Sequence, residues 1–86
     1  MNPSDLYDND DLDLLIYPNP VKDKVVVKSN EKIDYINIYD SSGRLCFKSS
    51  NLNQQFVIDV SGFSKGIYAI QIINSKKSII SKLIIE

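Results

Sequence analysis

Five aspartates near the start of the chain are the densest group of potential metal ligands in the sequence. They are Asp5, Asp8, Asp10, Asp11 and Asp13, and residues 1–13 contain no basic residue. A calcium loop needs oxygen ligands at fixed spacings, a glycine at its sixth position and a closing glutamate. Counted from Asp8, the sixth position is Asp13, and no glutamate follows within reach. Acid–base catalysis by paired carboxylates needs a buried cleft, which a solvated segment does not provide. We therefore expect residues 1–13 to be a flexible acidic leader without a metal site.

The potential nucleophiles lack the partners that catalysis requires. Cys46 is the only cysteine, so no internal disulfide can form, and the sequence has no histidine to activate its thiol. Its place between Leu45 and Phe47 predicts a small, partly buried side chain on the face opposite to both. No serine occurs in a nucleophile elbow or in a catalytic Ser-x-x-Lys context. The glycines of residues 61–66 lead into a strand rather than a helix, which disfavours a phosphate loop. The sequence thus predicts no catalytic residue and no cofactor.

The charge distribution and the hydropathy argue against several other classes of function. Residues 14–86 carry all ten Lys and Arg residues and six acids, a net charge of +4. A nucleic-acid-binding surface is much denser in positive charge, so we expect no nucleic-acid partner. No apolar run approaches the roughly 20 residues that a transmembrane helix needs. The first residues lack the basic and apolar regions of a signal peptide, so any export signal is expected on a longer parent chain.

Short β-branched and aromatic runs must supply the framework that positions these side chains. The runs are separated by Asn, Asp, Ser, Gly and Pro, and no segment has a helical repeat. A recurrence of about 8–12 residues predicts one all-β sandwich domain over residues 14–86. The predicted strands cover residues 14–17, 24–28, 33–40, 44–48, 55–60, 67–73 and 78–85.

Alternation along these runs assigns side chains to a core face and a solvent face. Ile36 and Ile38 are expected to point inward, while Tyr35, Asn37 and Tyr39 share a half-polar outer face. The tyrosines could stack on sugars or bases, although such residues more often cover a small sandwich. The other predicted core residues are Val25, Val27, Leu45, Phe47, Phe56, Ile58, Val60, Tyr68, Ile70 and Ile72.

Two turns have sequences that dictate their shape. Residues 40–43 are predicted to form a hairpin loop, in which Asp40 accepts hydrogen bonds from turn amides and Gly43 supplies a positive φ. Residues 17–20 (YPNP) cannot continue a strand pairing, because two of them lack an N–H. We expect this segment to end the first strand and to move the chain between the sheets.

The last predicted strand is apolar on both faces. One face carries Ile79, Ser81, Leu83 and Ile85, and the other carries Ile80, Lys82 and Ile84. Such a strand is either central in a sheet or available to a partner, since strand addition at a sheet edge is a known mode of recognition. An exposed apolar strand also favours association between copies, so weak self-association through this strand is a further expectation.

Four motifs occur in a specific order along the chain. They are IYPNPV at residues 16–21, IYDSSGR at residues 38–44, GIY at residues 66–68, and a terminal strand that contains Lys82. Together they resemble the type A sorting domain of proteins that Bacteroidetes export through the type IX secretion system, over about residues 14–86. The motif residues, expected to be mainly structural, are Tyr17, Pro18, Asn19, Pro20, Asp40, Gly43, Gly66, Tyr68 and Lys82.

The resemblance implies a seven-stranded antiparallel Ig-like β-sandwich without catalysis of its own, at the C-terminus of a larger exported protein. Such a parent crosses the inner membrane, folds in the periplasm, and is directed by the sorting domain through an outer-membrane translocon. A sortase-like peptidase then removes the domain, and the N-terminal cargo is attached to the cell surface or secreted. Residues 1–13 correspond to the linker in which that cut falls.

The candidate contact residues for the translocon are the lysines near the end of the chain and the terminal strand. They are Lys76, Lys77, Ile79, Ile80, Lys82, Leu83, Ile84 and Ile85. A structural role, in which this strand only closes its sheet, fits the pattern equally well. The alternative function is an Ig-like or fibronectin-like adhesion or carbohydrate-binding module of an extracellular enzyme. The sequence offers that alternative no tryptophan platform, and an enzyme is the least supported hypothesis.

Overall fold

The computed structural model of the chain describes residues 13–50 and 53–86. The predicted acidic leader therefore lies outside the described residues, apart from Asp13. Within the described residues, no helix is long and apolar enough to cross a membrane.

Seven strands make up the regular structure of the described residues. Their bounds are β1 Leu14–Tyr17, β2 Lys24–Ser29, β3 Tyr35–Tyr39, β4 Leu45–Ser50, β5 Gln55–Asp59, β6 Gly66–Ile73 and β7 Ser78–Ile85. They form a three-stranded sheet in the order β1-β2-β5 and a four-stranded sheet in the order β4-β3-β6-β7. All strand pairs are antiparallel. The prediction of a seven-stranded antiparallel sandwich is confirmed, with no strand end displaced by more than two residues.

The core lies between the two sheets and is built from the side chains that point inward at every second residue of the strands. Phe47 of β4 and Phe56 of β5 connect the sheets, with ring centroids 6.4 Å apart. Each fully buried Val, Ile or Leu contributes about 1.5–3 kcal/mol to folding, so the strands that carry them are not dispensable. The buried apolar residues are Val21, Val25, Val27, Ile33, Ile36, Ile38, Ile58, Val60, Tyr68, Ile70, Ile72, Leu83 and Ile85.

The prediction that Leu45 belongs to the core is wrong. Ile38 pairs with Phe47, but Tyr39 pairs with Leu45, so Cys46 is an extra residue in β4. Such a β-bulge shifts the alternation of its strand by one residue. Leu45 therefore joins the outer face and is 46% exposed, whereas Phe47 packs against the core as predicted.

The predicted hairpin loop at residues 40–43 is confirmed, and Asp40 organises it. Its Oδ1 accepts hydrogen bonds from the amides of Ser42 and Arg44 at 2.9 and 3.0 Å, and from the Ser42 hydroxyl at 2.6 Å. Its Oδ2 accepts from Arg44 Nε at 3.1 Å. Gly43 has a φ of +89°, which is costly for residues with a Cβ. The Ser42 hydroxyl, the Arg44 amide and the Arg44 charge together lower the pKa of Asp40 from 3.8 to about 2.

The YPNP segment transfers the chain from one sheet to the edge of the other, as predicted. β1 ends at Tyr17, and Val21 then pairs in parallel with Ile85 of β7. The Val21 amide donates to the Ile84 carbonyl, and the Glu86 amide donates to the Val21 carbonyl, each at 2.8 Å. The buried Val21 side chain joins the core at this point.

The side-chain amide of Asn19 continues this edge pairing. Its Nδ2 donates to the Lys82 carbonyl at 2.9 Å, and its Oδ1 accepts from the Ile84 amide at 3.0 Å. The amide group therefore acts like a peptide unit of a neighbouring strand, and it holds the C-terminal half of β7.

We predict that Asn19→Ala destabilises the domain by about 1 kcal/mol, because two hydrogen bonds are lost. The melting temperature should fall by roughly 4–8 °C. The Ile84 amide should lose protection from hydrogen exchange, which NMR can follow residue by residue. Asn53→Ala, a change at an exposed residue outside the strands, is the matched control. Unchanged exchange at Ile84 in Asn19→Ala would contradict the assignment.

The acid sensitivity of the fold should reflect the hairpin carboxylate. Because the pKa of Asp40 is lower in the folded chain, its carboxylate stabilises the fold fully above its ordinary pKa of 3.8, and this contribution disappears as the pH falls through about 2. Urea unfolding should show a stability difference between the unmodified domain and Asp40→Asn that is largest near about pH 5 and narrows toward about pH 2. A difference that stays constant over this range would contradict the prediction.

Candidate recognition surface

β7 is an edge strand, whereas its sequence pattern was compatible with a central or an edge position. Among the residues that the structure describes, β7 pairs with β6 on one side and with no strand on the other. Its inner face contributes to the core, and its outer face is turned to solvent. Leu83 and Ile85 are 0% and 3% exposed. Both side chains are held in the core and present no surface to a partner of the folded domain.

The outer face of β6 and β7 is a mixed apolar and polar surface. Register places Ile67 opposite Ile84, Ala69 opposite Lys82, and Gln71 opposite Ile80. Ile67 is 56% exposed and Ile80 is 67% exposed, so both isoleucines present most of their side chain to solvent. The small Ala69 leaves a depression between its larger neighbours. A shallow groove of about 380 Å³ results, lined mainly by Asp40, Ser41, Ile67, Ala69, Ile80 and Lys82.

The free side of β7 is closed over one half of its length and open over the other. The Lys82 carbonyl, both Ile84 backbone groups and the Glu86 amide bond to Asn19 and Val21. In an antiparallel strand the N–H and C=O of every second residue point to the same side. The N–H and C=O of Ile80 and the N–H of Lys82 therefore face this side too, where no described strand pairs with them.

The predicted lysines do not form one cluster. Lys76 lies in the turn between β6 and β7, where its Nζ is 3.5 Å from Glu31 Oε1. The Asn74 side chain shapes this turn by accepting hydrogen bonds from the Lys76 and Lys77 amides at 2.9 and 3.0 Å. Lys82 lies five residues beyond Lys77, about 17 Å along an extended strand. Among the described residues, no carboxylate lies within 4.0 Å of the Lys82 ammonium group.

Two motif tyrosines take part in the hydrogen bonding of the fold. Tyr68 is buried, its hydroxyl donates to the Ser64 carbonyl at 2.7 Å, and its ring is 5.7 Å from that of Phe63. This arrangement resembles the tyrosine corner of Ig-like sandwiches, in which a tyrosine bonds to backbone a few residues upstream. Tyr39, on the outer face, donates its hydroxyl to Gln71 Oε1 at 3.3 Å.

The chemistry-bearing residues give no catalytic arrangement in the described part of the chain. The prediction that Cys46 is partly buried is wrong, because the side chain is exposed. Its Sγ donates to the Arg44 carbonyl at 3.5 Å. Across residues 13–50 and 53–86, no three His, Cys, Asp or Glu side chains are grouped so that they could hold a metal ion. The aspartates at positions 5, 8, 10 and 11 lie outside the described residues.

Sequence reasoning missed a second exposed apolar surface, on the three-stranded sheet. Register aligns Tyr17, Val26 and Val57 in one row across β1, β2 and β5. Tyr17 is 43% exposed and Val57 is 48% exposed, and Leu15 beside them is 60% exposed. The available signal was the run of three valines in β2, which is apolar on both faces.

Comparisons with known proteins agree with this architecture. The family model described as "Secretion system C-terminal sorting domain" matches residues 15–86. The fold is similar to that of PorZ, an essential surface component of the type IX secretion system of Porphyromonas gingivalis. The TM-score is 0.70 at 22% identity, over 85% of this chain and 11% of that one. That likeness shows the fold alone.

Two curated relatives are carbohydrate-active enzymes by name. The chain is 34% identical over 90 residues to a funoran endo-beta-hydrolase of Wenyingzhuangia aestuarii. The aligned region covers all of this chain and 12% of that relative. It is 39% identical over 59 residues to beta-agarase A of Zobellia galactanivorans, covering 66% of this chain and 11% of that protein. The chain thus spans about an eighth or less of each relative. The family match covers nearly the whole chain, and the chain belongs to the secretion-system C-terminal sorting domains of the type IX pathway.

Proposed function

We propose that this domain directs a cargo, joined to its N-terminal side, from the periplasm through the outer-membrane type IX translocon to the cell surface or the medium. The observation that carries this proposal is the family match over residues 15–86. A sorting domain of this family is a signal and performs no catalysis. A compact sandwich suits the task, because the signal must stay folded during periplasmic transit and still present a distinctive surface.

The recognition surface that we propose is the solvent-facing part of β7 and of the turn before it. Ile80 and Lys82 project from its outer face, and Lys76 from the turn. Ile79, Ile84 and Lys77 are partly exposed and border the same strand. Exposed apolar side chains that line one groove, as Ile67 and Ile80 do, are typical of protein contact sites.

The cargo that we propose is a polysaccharide hydrolase. This inference rests on the names of the two relatives, a funoran endo-beta-hydrolase and a beta-agarase, and on their much greater length. We further propose that a sortase-like peptidase separates cargo and domain within residues 1–13. The support is the composition of that segment, which is acidic and has no pattern of a buried strand.

The same names favour a second function, a carbohydrate-binding accessory module. The outer tyrosines would have to form its platform. Tyr35 is 48% exposed, but the Tyr39 hydroxyl is already engaged by Gln71. Binding of the isolated 86-residue chain to agar or funoran oligosaccharides, lost in Tyr35→Ala, would favour this module over the sorting signal.

Export of a reporter tests the sorting function. The full chain should be fused behind a reporter that carries an inner-membrane export signal, in a bacterium with a working type IX system. We expect the reporter at the surface or in the medium, and in the periplasm of an otherwise identical strain without the translocon. The mass of the exported reporter shows whether the cut falls in residues 1–13. A reporter that remains periplasmic in the competent strain contradicts the sorting function.

Paired surface variants test where the signal is read. Ile80→Glu should lower export at least about fivefold, the effect of losing more than 1 kcal/mol at a contact. Val57→Glu makes the same kind of change on the opposite sheet and should leave export near that of the unmodified domain. Both positions are exposed, so both variants should unfold within about 0.5 kcal/mol of the unmodified domain. Equal export by the two variants would contradict the proposed surface.

A further inference from the structure

We propose that the open half of the β7 edge, residues 78–82, docks a short extended segment of a partner protein in which an apolar and an acidic residue stand two positions apart, on one face of the added strand. The segment would add as a fifth strand to the four-stranded sheet. The assignment of this partner to the export machinery rests on the proposed function, whereas the docking itself rests on the geometry of the edge.

The backbone limits where such a strand can bind. Asn19 and Val21 occupy the edge from the Lys82 carbonyl to the Glu86 amide. The outward N–H and C=O groups before that point face no described strand. The open window is therefore four to five residues long, about 13–17 Å. An added strand satisfies these groups, and the Asn19 side chain marks where its pairing must stop.

The other sheet edges are less suited to this pairing. β1 has four residues, and β4 is interrupted by the bulge at Cys46, which disturbs the regular pairing pattern. β5 has five residues, but its exposed side chains are Gln55, Val57 and Asp59, which offer no cation to an acidic segment. β7 has eight residues in unbroken register with β6. Only residues 78–82 of this strand are uncovered, but the pairing behind them is regular, and a regular edge is the best template for strand addition.

The side chains beside the window define the chemistry of the partner. A strand next to β7 places every second side chain on the outer face, beside Ile80 and Lys82 and the groove floored by Ala69. Ile80 is 67% exposed and offers an apolar contact. The Lys82 ammonium group has no described carboxylate within 4.0 Å. Asp40 lines the same groove, but its oxygens are held by Ser42 and Arg44. An apolar side chain therefore suits the position beside Ile80, and a carboxylate suits the position beside Lys82.

NMR titration of the full 86-residue chain tests the docking directly. The probes are two capped heptapeptides: Thr-Val-Thr-Asp-Thr-Val-Thr, which places a valine two positions from the aspartate in either strand direction, and the same sequence with lysine in place of aspartate. We expect the acidic probe to shift the amides of Ile80 and Lys82 and to bind at least about fivefold more tightly than the basic probe, a difference of roughly 1 kcal/mol. This preference should shrink as salt is added.

Backbone and charge variants separate the two parts of the proposal. Ile80→Pro removes an outward N–H that takes no part in the pairing with β6, so the fold tolerates it, while binding of the acidic probe should fall about tenfold. Ile80→Thr keeps the N–H and should weaken binding only about twofold. Lys82→Gln should abolish the preference for the acidic probe. Lys48→Gln, the same change in β4 at the far edge of the sheet, should preserve it.

Several results would overturn the docking proposal. They are equal binding of the two probes, shifts centred on Val57 rather than on Ile80, and binding that survives Ile80→Pro in a chain whose melting temperature is unchanged. Binding to phosphatidylglycerol vesicles without any effect of the acidic probe on Ile80 would point to a lipid surface. Dimerisation that blocks the probe would point to a second copy of the chain.

Export tests the sorting function separately. If Ile80→Pro no longer binds the acidic probe but is exported normally, this docking does not serve sorting.

Discussion

The contact between residues 19–21 and the end of β7 constrains the whole domain. Four hydrogen bonds join these segments, two from the Val21 backbone and two from the Asn19 side chain. These bonds attach β7 of the four-stranded sheet to the segment that follows β1 of the three-stranded sheet. The two sheets are therefore joined along this edge. Leu83 and Ile85 are buried behind this edge, and the end of the chain thereby becomes part of the core. The outer face of β7 therefore keeps its arrangement only in the folded domain.

The division of β7 into a closed and an open half lets the strand avoid unwanted pairing and still remain available to a partner. An exposed apolar edge invites unwanted pairing, and proteins usually cover or interrupt such edges. Here the Asn19 amide and Val21 cover the C-terminal half. The uncovered window is short, and Lys82 lies at its end, where a positive charge discourages pairing with other basic strands. The same features that limit aggregation therefore also define a selective docking site.

Much of this architecture could be predicted from the sequence, because alternation of apolar residues is a local signal. The strands, the Asp40 hairpin and the inward positions of Ile36 and Ile38 follow from neighbouring residues alone. The exposed position of Leu45 could not be predicted, because no residue type in the sequence indicates the one-residue bulge at Cys46 that reverses the alternation of β4. The role of Asn19 was equally hidden, since its partners lie 63 and 65 residues away along the chain. The pattern of β7, apolar on both faces, was compatible with a central or an edge position, and only the sheet order decides between them.

The central claim is that the export machinery reads the outer side of β7. The most direct measurement is site-specific photo-crosslinking in cells that are exporting a fusion of this domain. A photoreactive residue would be placed at position 80 on β7 or, for comparison, at position 57 on the opposite sheet. Our account predicts an adduct between the fusion and an outer-membrane subunit of the type IX translocon from position 80, and none from position 57. Adducts of equal yield from both positions, or an adduct from position 57 alone, would contradict it.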